Sequence, residues 1–562
     1  MLNLRPNRIS KLPSNMTAMR TFADLSWLSF FEKNRNSLQS NKIKVKLSQR
    51  IEDVFNMRAY SSILGDEDDE LTGQKCLEIA KKIKDQIQAL TPVRARVAIL
   101  FPPGTTQSLS ILAVMMAERV PVILNHWVNE KSLEDIIIEN DLHAIVTYPH
   151  SHKRNMPSLS PIPHIELNQS FDIVEVNNRK TEEYFKKPLP ETNTALILYT
   201  SGSTGKSKGV KISEESLSYM VDLLIDKLSL DETTTATITL PIFHTMALIT
   251  QFLPTFFAGG KSIIINTELC TGKWYRLIQQ SSGTFTALIS DMLKYCKDEK
   301  VKRNLPAAEK VKLLQLAGGH ISAKHLELAR ELFPNALIYK GYGLTEAIRV
   351  TMISSDDPHF DKDSAGYPLP GQEVNIRDEH GNNLPHEAIG EIHVKGPNLM
   401  LGYEAGIPSQ ITEDGFLATG DYGYVSKEGL LVIQGRKDHV FKSNGRKIAP
   451  KEIEQYAIEL SSVLKAKCVA VPCEQKGLKP ILLIEVDREN IELHAKEWKN
   501  ELIRNLKSKL EPYKVPKQIV VTDIPKLANG KMDHPKAEKL WKRQDKFSYI
   551  GKAAFGCHFH LL

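Results

Sequence analysis

Tyr199-Thr-Ser-Gly-Ser-Thr-Gly-Lys-Ser-Lys-Gly-Val210 follows directly on the apolar run 195–198. Its glycines Gly202, Gly205 and Gly209 permit positive φ and close approach to the backbone, while Thr200, Ser201, Ser203 and Thr204 add hydroxyl donors. Lys206 and Lys208 supply charge, and together these residues form a flexible cradle for a polyphosphate. Gly205-Lys206-Ser207 invites a Walker A reading, but that motif needs glycine at 200, where this chain has Thr. Residues 208–212 also alternate like a strand, and a helical pattern begins only at Glu214. A kinase or P-loop NTPase is therefore set aside. So is a Gly/Ser linker, because linkers seldom follow a buried strand directly.

Strands and helices alternate on both sides of this loop. Before it, helical periods at 72–90, 108–117 and 131–140 separate short apolar strands at 97–101, 120–124 and 144–148. The alternation resumes with a strand at 195–199, a helix at 214–228, a strand at 235–240 and a helix at 322–332, which predicts a doubly wound α/β structure. From 366 to 433 short strands at 374–377, 390–394, 420–425 and 430–434 are punctuated by Gly and Pro, predicting a small β-rich subdomain. Beyond Gly435, helices at 450–460 and 495–510 alternate with strands at 466–471, 481–486 and 518–521 as a compact α+β unit. The apolar stretch 247–258 is broken by Gln251 and Pro254 and reads as core. Asp66-Glu67-Asp68-Asp69-Glu70 reads as a solvated loop.

A chain of 562 residues exceeds what one core supports. The expected division is an extension at 1–50 without stable structure, a large domain at 51–435, a small mobile C-terminal domain at 436–545 and a tail at 546–562. Lys plus Arg total 73 against 67 for Asp plus Glu, an excess too mild, and without any aromatic-interleaved basic stripe, to argue for nucleic acid. The six cysteines, Cys76, Cys270, Cys296, Cys468, Cys473 and Cys557, show no CxxC pair or zinc spacing and fit reduced thiols in a cytoplasmic setting. No apolar run approaches the ~18 residues of a transmembrane span. The first 23 residues hold Arg5, Arg8, Lys11 and Arg20 with no acid before Asp24, a pattern shared by organelle transit segments and by simple disordered extensions.

With the loop as its first motif, the chain resembles the superfamily of acyl-CoA synthetases, peptide-synthetase adenylation domains and luciferases, over about residues 70 to 540. The stretch 199–210 is similar to that family's YTSGTTGxPKGV, with Ser207 in place of the usual Pro. Pro241-Ile-Phe-His244-Thr resembles PxxHxxG, with Ala247 where Gly is common; the resemblance puts His244 at the carboxylate end of the acyl pocket. Ala317-Gly318-Gly319 resembles the segment along the adenine and the pocket floor. Tyr342-Gly-Leu-Thr345-Glu346 matches YGxTE, which implies Tyr342 on adenine, Thr345 on the α-phosphate and Glu346 on Mg²⁺. Thr419-Gly420-Asp421 resembles the TGD whose Asp accepts the ribose hydroxyls. Gly435-Arg436-Lys437-Asp438 matches the family's GRxD, with Arg436 near the ribose and Asp438 as hinge. Lys442 and Gly445 fall where the thiol-transfer conformation is built, and Asn529-Gly530-Lys531 resembles the NGK that holds the catalytic lysine.

The resemblance implies an ATP- and Mg²⁺-dependent acid–thiol ligase that makes an acyl-AMP and passes the acyl group to CoA. No protein nucleophile is needed, because the substrate carboxylate attacks the α-phosphorus once charge is neutralised around it. The family's amino-acid-activating members carry an Asp to pair with the substrate ammonium, and none lies between 241 and 253, which favours a fatty or aryl acid. Two other functions stay open on the sequence: loading of an acyl carrier protein or another acceptor, and a catalytically silent binding module.

Overall fold

The structure is a computed structural model that describes residues 45–537 except 68, 127, 129, 140, 149–161, 169, 178–192, 202–206, 266–272, 405, 438–440, 444–445, 449, 461, 474–476, 487–494, 513, 517 and 526–535. They form two compact units: residues up to 191 with 230–234 and 255–264, and residues 192–229, 235–254 and 265 onward.

In the first unit the apolar runs become a parallel sheet in the order Val120–Ile123, Arg96–Leu100, Ala144–Thr147, His164–Leu167, with Ile173–Asn177 antiparallel at the edge. Every residue of the four parallel strands is buried. A parallel sheet covered on both faces has no solvent side to write into its sequence, so these strands read as continuous apolar runs. Helix Gly73–Leu90 starts at Thr72, whose Oγ1 accepts from Lys75 N at 3.3 Å, and buries Cys76, Ile79, Ala80, Ile83, Ile87 and Leu90 on one stripe. Helix Leu47–Met57 begins inside the segment expected to be an extension, because Leu47, Ile51, Val54 and Phe55 form a buried face there. The acidic run is a turn at Asp66 to Asp69, closed by a backbone hydrogen bond of 3.0 Å, and Glu70 opens strand Glu70–Thr72, paired antiparallel with Ser62–Gly65.

In the second unit, Thr194–Ser201 and Ser207–Ser213 pair antiparallel in a register running from Thr194↔Ser213 to Ser201↔Ser207, with Gly402–Tyr403 added on the outer side. The alternation at 208–212 is thus a strand, and the predicted phosphate loop joins it to Thr194–Ser201 as a hairpin. Ser213 then caps helix Glu214–Leu228, its Oγ accepting from Ser216 N at 3.0 Å, and Glu214 and Glu215 complement the helix dipole. Strands Thr235–Ile238, Phe285–Ile289, Leu313–Ala317 and Leu337–Leu344 are parallel neighbours in that order, and Ala347–Ser354 turns back antiparallel on the last. The β-rich stretch is a four-stranded antiparallel sheet of Glu373–Arg377, Gly390–Lys395, Leu417–Val425 and Leu431–Arg436. Near the C-terminus, Val463–Cys473 and Gly477–Val486 form a long antiparallel pair joined in parallel by Gln518–Val521. Helices Pro450–Ile458 and Ala495–Lys509 pack on it around Ile453, Ala457, Leu482, Ile484, Leu502 and Leu506. The fold class is as the sequence predicts: α/β, a large doubly wound part with a β-rich subdomain, then a small α+β part.

The structure adds detail to the stretch read only as apolar core. Thr245–Ala247 is a helical turn, and Leu248–Phe252 is a π-helix in which all five residues are buried. Among the described residues no helix is long and apolar enough to cross a membrane.

Leu316 is fully buried in the strand that leads to Gly318. Leu316→Ala should cost about 2–5 kcal/mol of unfolding free energy. A fall in the urea midpoint with little change in slope checks it.

Candidate active site

Strand Leu337–Leu344 carries Tyr342 to its end, and the chain reverses at Thr345-Glu346 before Ala347–Ser354. The Tyr342 hydroxyl donates to Asp421 Oδ2 at 2.6 Å. Asp421 stands directly across from Arg436 in the ladder of Leu417–Val425 with Leu431–Arg436, and Arg436 Nη1 donates to Asp421 Oδ1 and to the Thr419 carbonyl, both at 3.2 Å. Asp421 N in turn donates to Thr419 Oγ1 at 3.1 Å. Residues from three separate motifs therefore meet at one carboxylate. Burial raises the Asp421 carboxyl above its ordinary value, although Arg436 and the Tyr342 hydroxyl both pull it down. Burial, then the Asp421 charge, raises the Tyr342 phenol. A carboxylate offers about four acceptor sites, so Asp421 keeps capacity for further hydroxyl donors.

Glu346 is half-buried and not at a helix start; it lies in the reversal between two strands. Its Oε1 accepts from the Tyr403 hydroxyl at 2.9 Å, and the Tyr403 ring lies 5.2 Å below Lys208 Nζ. Burial, then Glu346, raises the Tyr403 phenol. Tyr403 arrives there because Gly402–Tyr403 pairs with the exit strand of the hairpin. Gly209 makes that pairing tight: a Cβ on it would lie 3.1 Å from Glu404 Cγ and 3.2 Å from Tyr199 Cζ, and its carbonyl accepts from Glu404 N at 2.7 Å. Thr200, on the entry strand, pairs with Lys208.

His244 is exposed at the N-terminal edge of the turn Thr245–Ala247, so it is not a packed core histidine; its ring lies 4.5 Å from that of Phe243. Beside it Thr245 Oγ1 donates to Thr345 Oγ1 at 3.3 Å, which ties the PxxH stretch to the YGxTE stretch. Gly318 and Gly319 are exposed just past strand Leu313–Ala317. Gly318 has φ 81°, and a Cβ on it would come within 2.7 Å of Ile289 Cγ2, so only glycine fits this turn.

Gly202, Ser203, Thr204, Gly205, Lys206, Asp438, Gly445 and Lys531 lie outside the described residues. Ser201 and Lys442 are placed by backbone alone, Lys442 on Phe441–Ser443 opposite Lys447. Thr245, Tyr403 and Arg349 escaped the sequence reading. Gly402-Tyr403, a glycine-aromatic pair after a Pro-containing turn, was the one visible signal. Among the described residues no group of three His, Cys, Asp or Glu is placed to hold a metal. A Mg²⁺ bound by one carboxylate and phosphate oxygens does not need one.

Residues 59–404, more than half of the chain, match the model of the AMP-binding enzyme family, and 452–531 match the AMP-binding enzyme C-terminal domain. The chain belongs to the AMP-binding enzyme family. It is thus an enzyme of the AMP-forming ligase type. It is 29% identical, over 62% of its length and 63% of the relative's, to a 4-coumarate–CoA ligase-like protein of Oryza sativa subsp. japonica. A 2-succinylbenzoate–CoA ligase of Oceanobacillus iheyensis is 27% identical over 74% of this chain and 82% of that one. The fold is that of ATP-bound MatB from Rhodopseudomonas palustris, with a TM-score of 0.75, 22% identity, and 88% of this chain and 99% of that one covered.

Because folding raises the Asp421 pKa, this group contributes its full stability below the ordinary carboxylate range and loses it as pH rises through the raised value. Asp421→Asn does not titrate there. The urea midpoint of the natural protein, relative to that of Asp421→Asn, should therefore be higher at about pH 4 than at about pH 7; a margin that grows with pH would refute the assignment.

Proposed function

We propose that this enzyme converts a carboxylic acid and ATP to an acyl-AMP with loss of pyrophosphate, and then transfers the acyl group to CoA. The observation that carries this is the meeting of Tyr342, Asp421 and Arg436 at one hydrogen-bonded corner, with Thr345 and Glu346 on the adjoining reversal. An aromatic ring, a two-directional acceptor and a cation side by side suit an adenosine: the ring for the base, the carboxylate for the two ribose hydroxyls. Glu346, whose partner Tyr403 lies under Lys208, suits a Mg²⁺ ion shared with phosphate oxygens, which when bound neutralises charge on the triphosphate. Thr345, linked to Thr245, then stands at the α-phosphate, and exposed His244 flanks the entering carboxylate.

In this reading the substrate carboxylate forms a bond to the α-phosphorus as the bond to pyrophosphate breaks. Thr200, Ser201, Gly202, Ser203, Thr204, Gly205, Lys206 and Lys208 hold the departing phosphates, while Gly318 and Gly319 leave room for the base and the acyl group. Lys531 neutralises charge in this first step. Rotation of the C-terminal part about Asp438 then withdraws Lys531 and brings Lys442 and Gly445 toward the thiol. CoA is the favoured acceptor because the relatives named above are CoA ligases. An aromatic acid is favoured as substrate for the same reason, and the buried, unbridged thiols Cys76, Cys296 and Cys468 suit a cytoplasmic setting.

ATP–pyrophosphate exchange across a panel of acids tests the reading, and absence of exchange with every acid would leave only a silent binding module. Lys531→Ala should lower adenylate formation by about 10²-fold or more and spare thioester formation from supplied acyl-AMP. Equal loss of both half-reactions counts against Lys531. Asp438→Pro should slow thioester formation far more than exchange, since it stiffens the hinge; separate assays of the two steps, with CoA and with a carrier protein as acceptor, decide it.

A further inference from the structure

One buried charge has no part in the chemistry above. Arg349 is 5% exposed on strand Ala347–Ser354, three residues after Glu346. Its Nη2 donates to Gln315 Oε1 at 2.7 Å and to Thr250 Oγ1 at 3.3 Å, both neutral acceptors. Its Nε and Nη1 make no hydrogen bond among the described residues, and no carboxylate there pairs with it. Burial lowers its pKa only to about 10, so the guanidinium stays charged at neutral pH. A buried cation without a counter-charge is costly, and two neutral acceptors on one nitrogen do not offset it.

The surroundings hold that guanidinium in place. Gln315 Nε2 donates to the Thr250 carbonyl at 3.2 Å, and Thr250 Oγ1 donates to the Met246 carbonyl at 2.7 Å, so both acceptors are themselves fixed. The Arg349 carbonyl accepts from Gln372 Nε2 at 3.1 Å. Arg349 has φ 42°, an uncommon conformation for a side chain of this size, and strain of that kind gathers at functional positions. On the facing strand Gly341 leaves space: a Cβ there would sit 3.2 Å from Arg349 Nη1.

Position along the helical segment gives the distance. Thr245 touches Thr345 at the reacting end, and Thr250, five residues further along, touches Arg349. At the α-helical rise of about 1.5 Å per residue this is at most roughly 7 Å, since the wider π-helical part rises less. The intervening residues begin the buried π-helix Leu248–Phe252, a feature common at functional sites.

We propose that Arg349 receives a second carboxylate of the substrate, making the enzyme selective for acids whose two carboxylates are separated by roughly three or four methylenes or one benzene ring. The inference rests on the ligase reading above, with the reacting carboxylate beside Thr345. The second carboxylate supplies the missing counter-charge at Nη1, which makes no other hydrogen bond among the described residues and faces Gly341. The two neutral acceptors on Nη2 orient the guanidinium for it.

The test is ATP–pyrophosphate exchange by the full chain with matched pairs: glutarate against pentanoate, adipate against hexanoate, terephthalate against benzoate. The natural enzyme should favour the diacid in at least one pair by about tenfold or more in kcat/KM. Arg349→Met should reverse that ratio, chiefly through a diacid KM raised by about thirtyfold, and Arg349→Lys should fall between the two. A thermal shift by Mg-ATP confirms that each variant is folded, and the preference of the natural enzyme stands as a test without any variant. Exchange with the monoacid preferred in every pair, or an Arg349→Met variant that keeps the natural ratio, overturns the inference while leaving the ligase intact. No exchange with any acid overturns both.

Discussion

The corner where Tyr342, Thr419 and Arg436 meet hangs on the carboxylate of Asp421. It takes a hydrogen bond from Tyr342 on one oxygen and from Arg436 on the other, and its own N–H is held by Thr419. The last strand of the parallel sheet is thereby locked to the β-rich subdomain at the place where the first reverses. A buried carboxylate left with no donors would protonate or pull the strands apart; with two donors it is fixed and still able to accept more. The cost shows in the raised Asp421 carboxyl, where burial outweighs both donors. A nucleotide's hydroxyls would add donors to the charged form.

Much of this was legible in the chain. Strands buried on both faces write themselves as apolar runs, so Arg96–Leu100, Val120–Ile123 and Ala144–Thr147 were found to within a residue or two. The strand Ser207–Ser213 was legible because Lys208, Val210 and Ile212 break the helical pattern a Walker loop demands. Strands Leu337–Leu344 and Ala347–Ser354 were harder to see. Tyr342, Gly343, Thr345 and Glu346 lack the apolar run of a buried strand, and their composition hides the strands beside them.

The residues that escaped the sequence did so because their partners are far away in the chain. Nothing near Tyr403 announces Glu346 or Lys208; the link exists only because a two-residue strand adds to the hairpin. Thr245 is one of many threonines until the fold sets it against Thr345, a hundred residues on. Short polar contacts between distant segments leave no period to read, whereas Gly318 was visible as a glycine even before its positive φ explained it.

Two buried cations on adjoining strands make the same point about charge. Lys340 is 2% exposed, yet its ammonium donates to the Lys362 carbonyl at 2.6 Å and lies 5.1 Å from the Phe360 ring. Asp363 and Asp361 stand close enough to pull its pKa back up, and burial lowers it only to about 8. A carbonyl, an aromatic face and two carboxylates offset one desolvated charge. Arg349, on the antiparallel neighbour, has two neutral acceptors and no carboxylate among the described residues. The same sheet thus holds one cation with two carboxylates near it and one with none among the described residues. The difference between these two neighbours, rather than the burial of either, is what assigns Arg349 to a ligand.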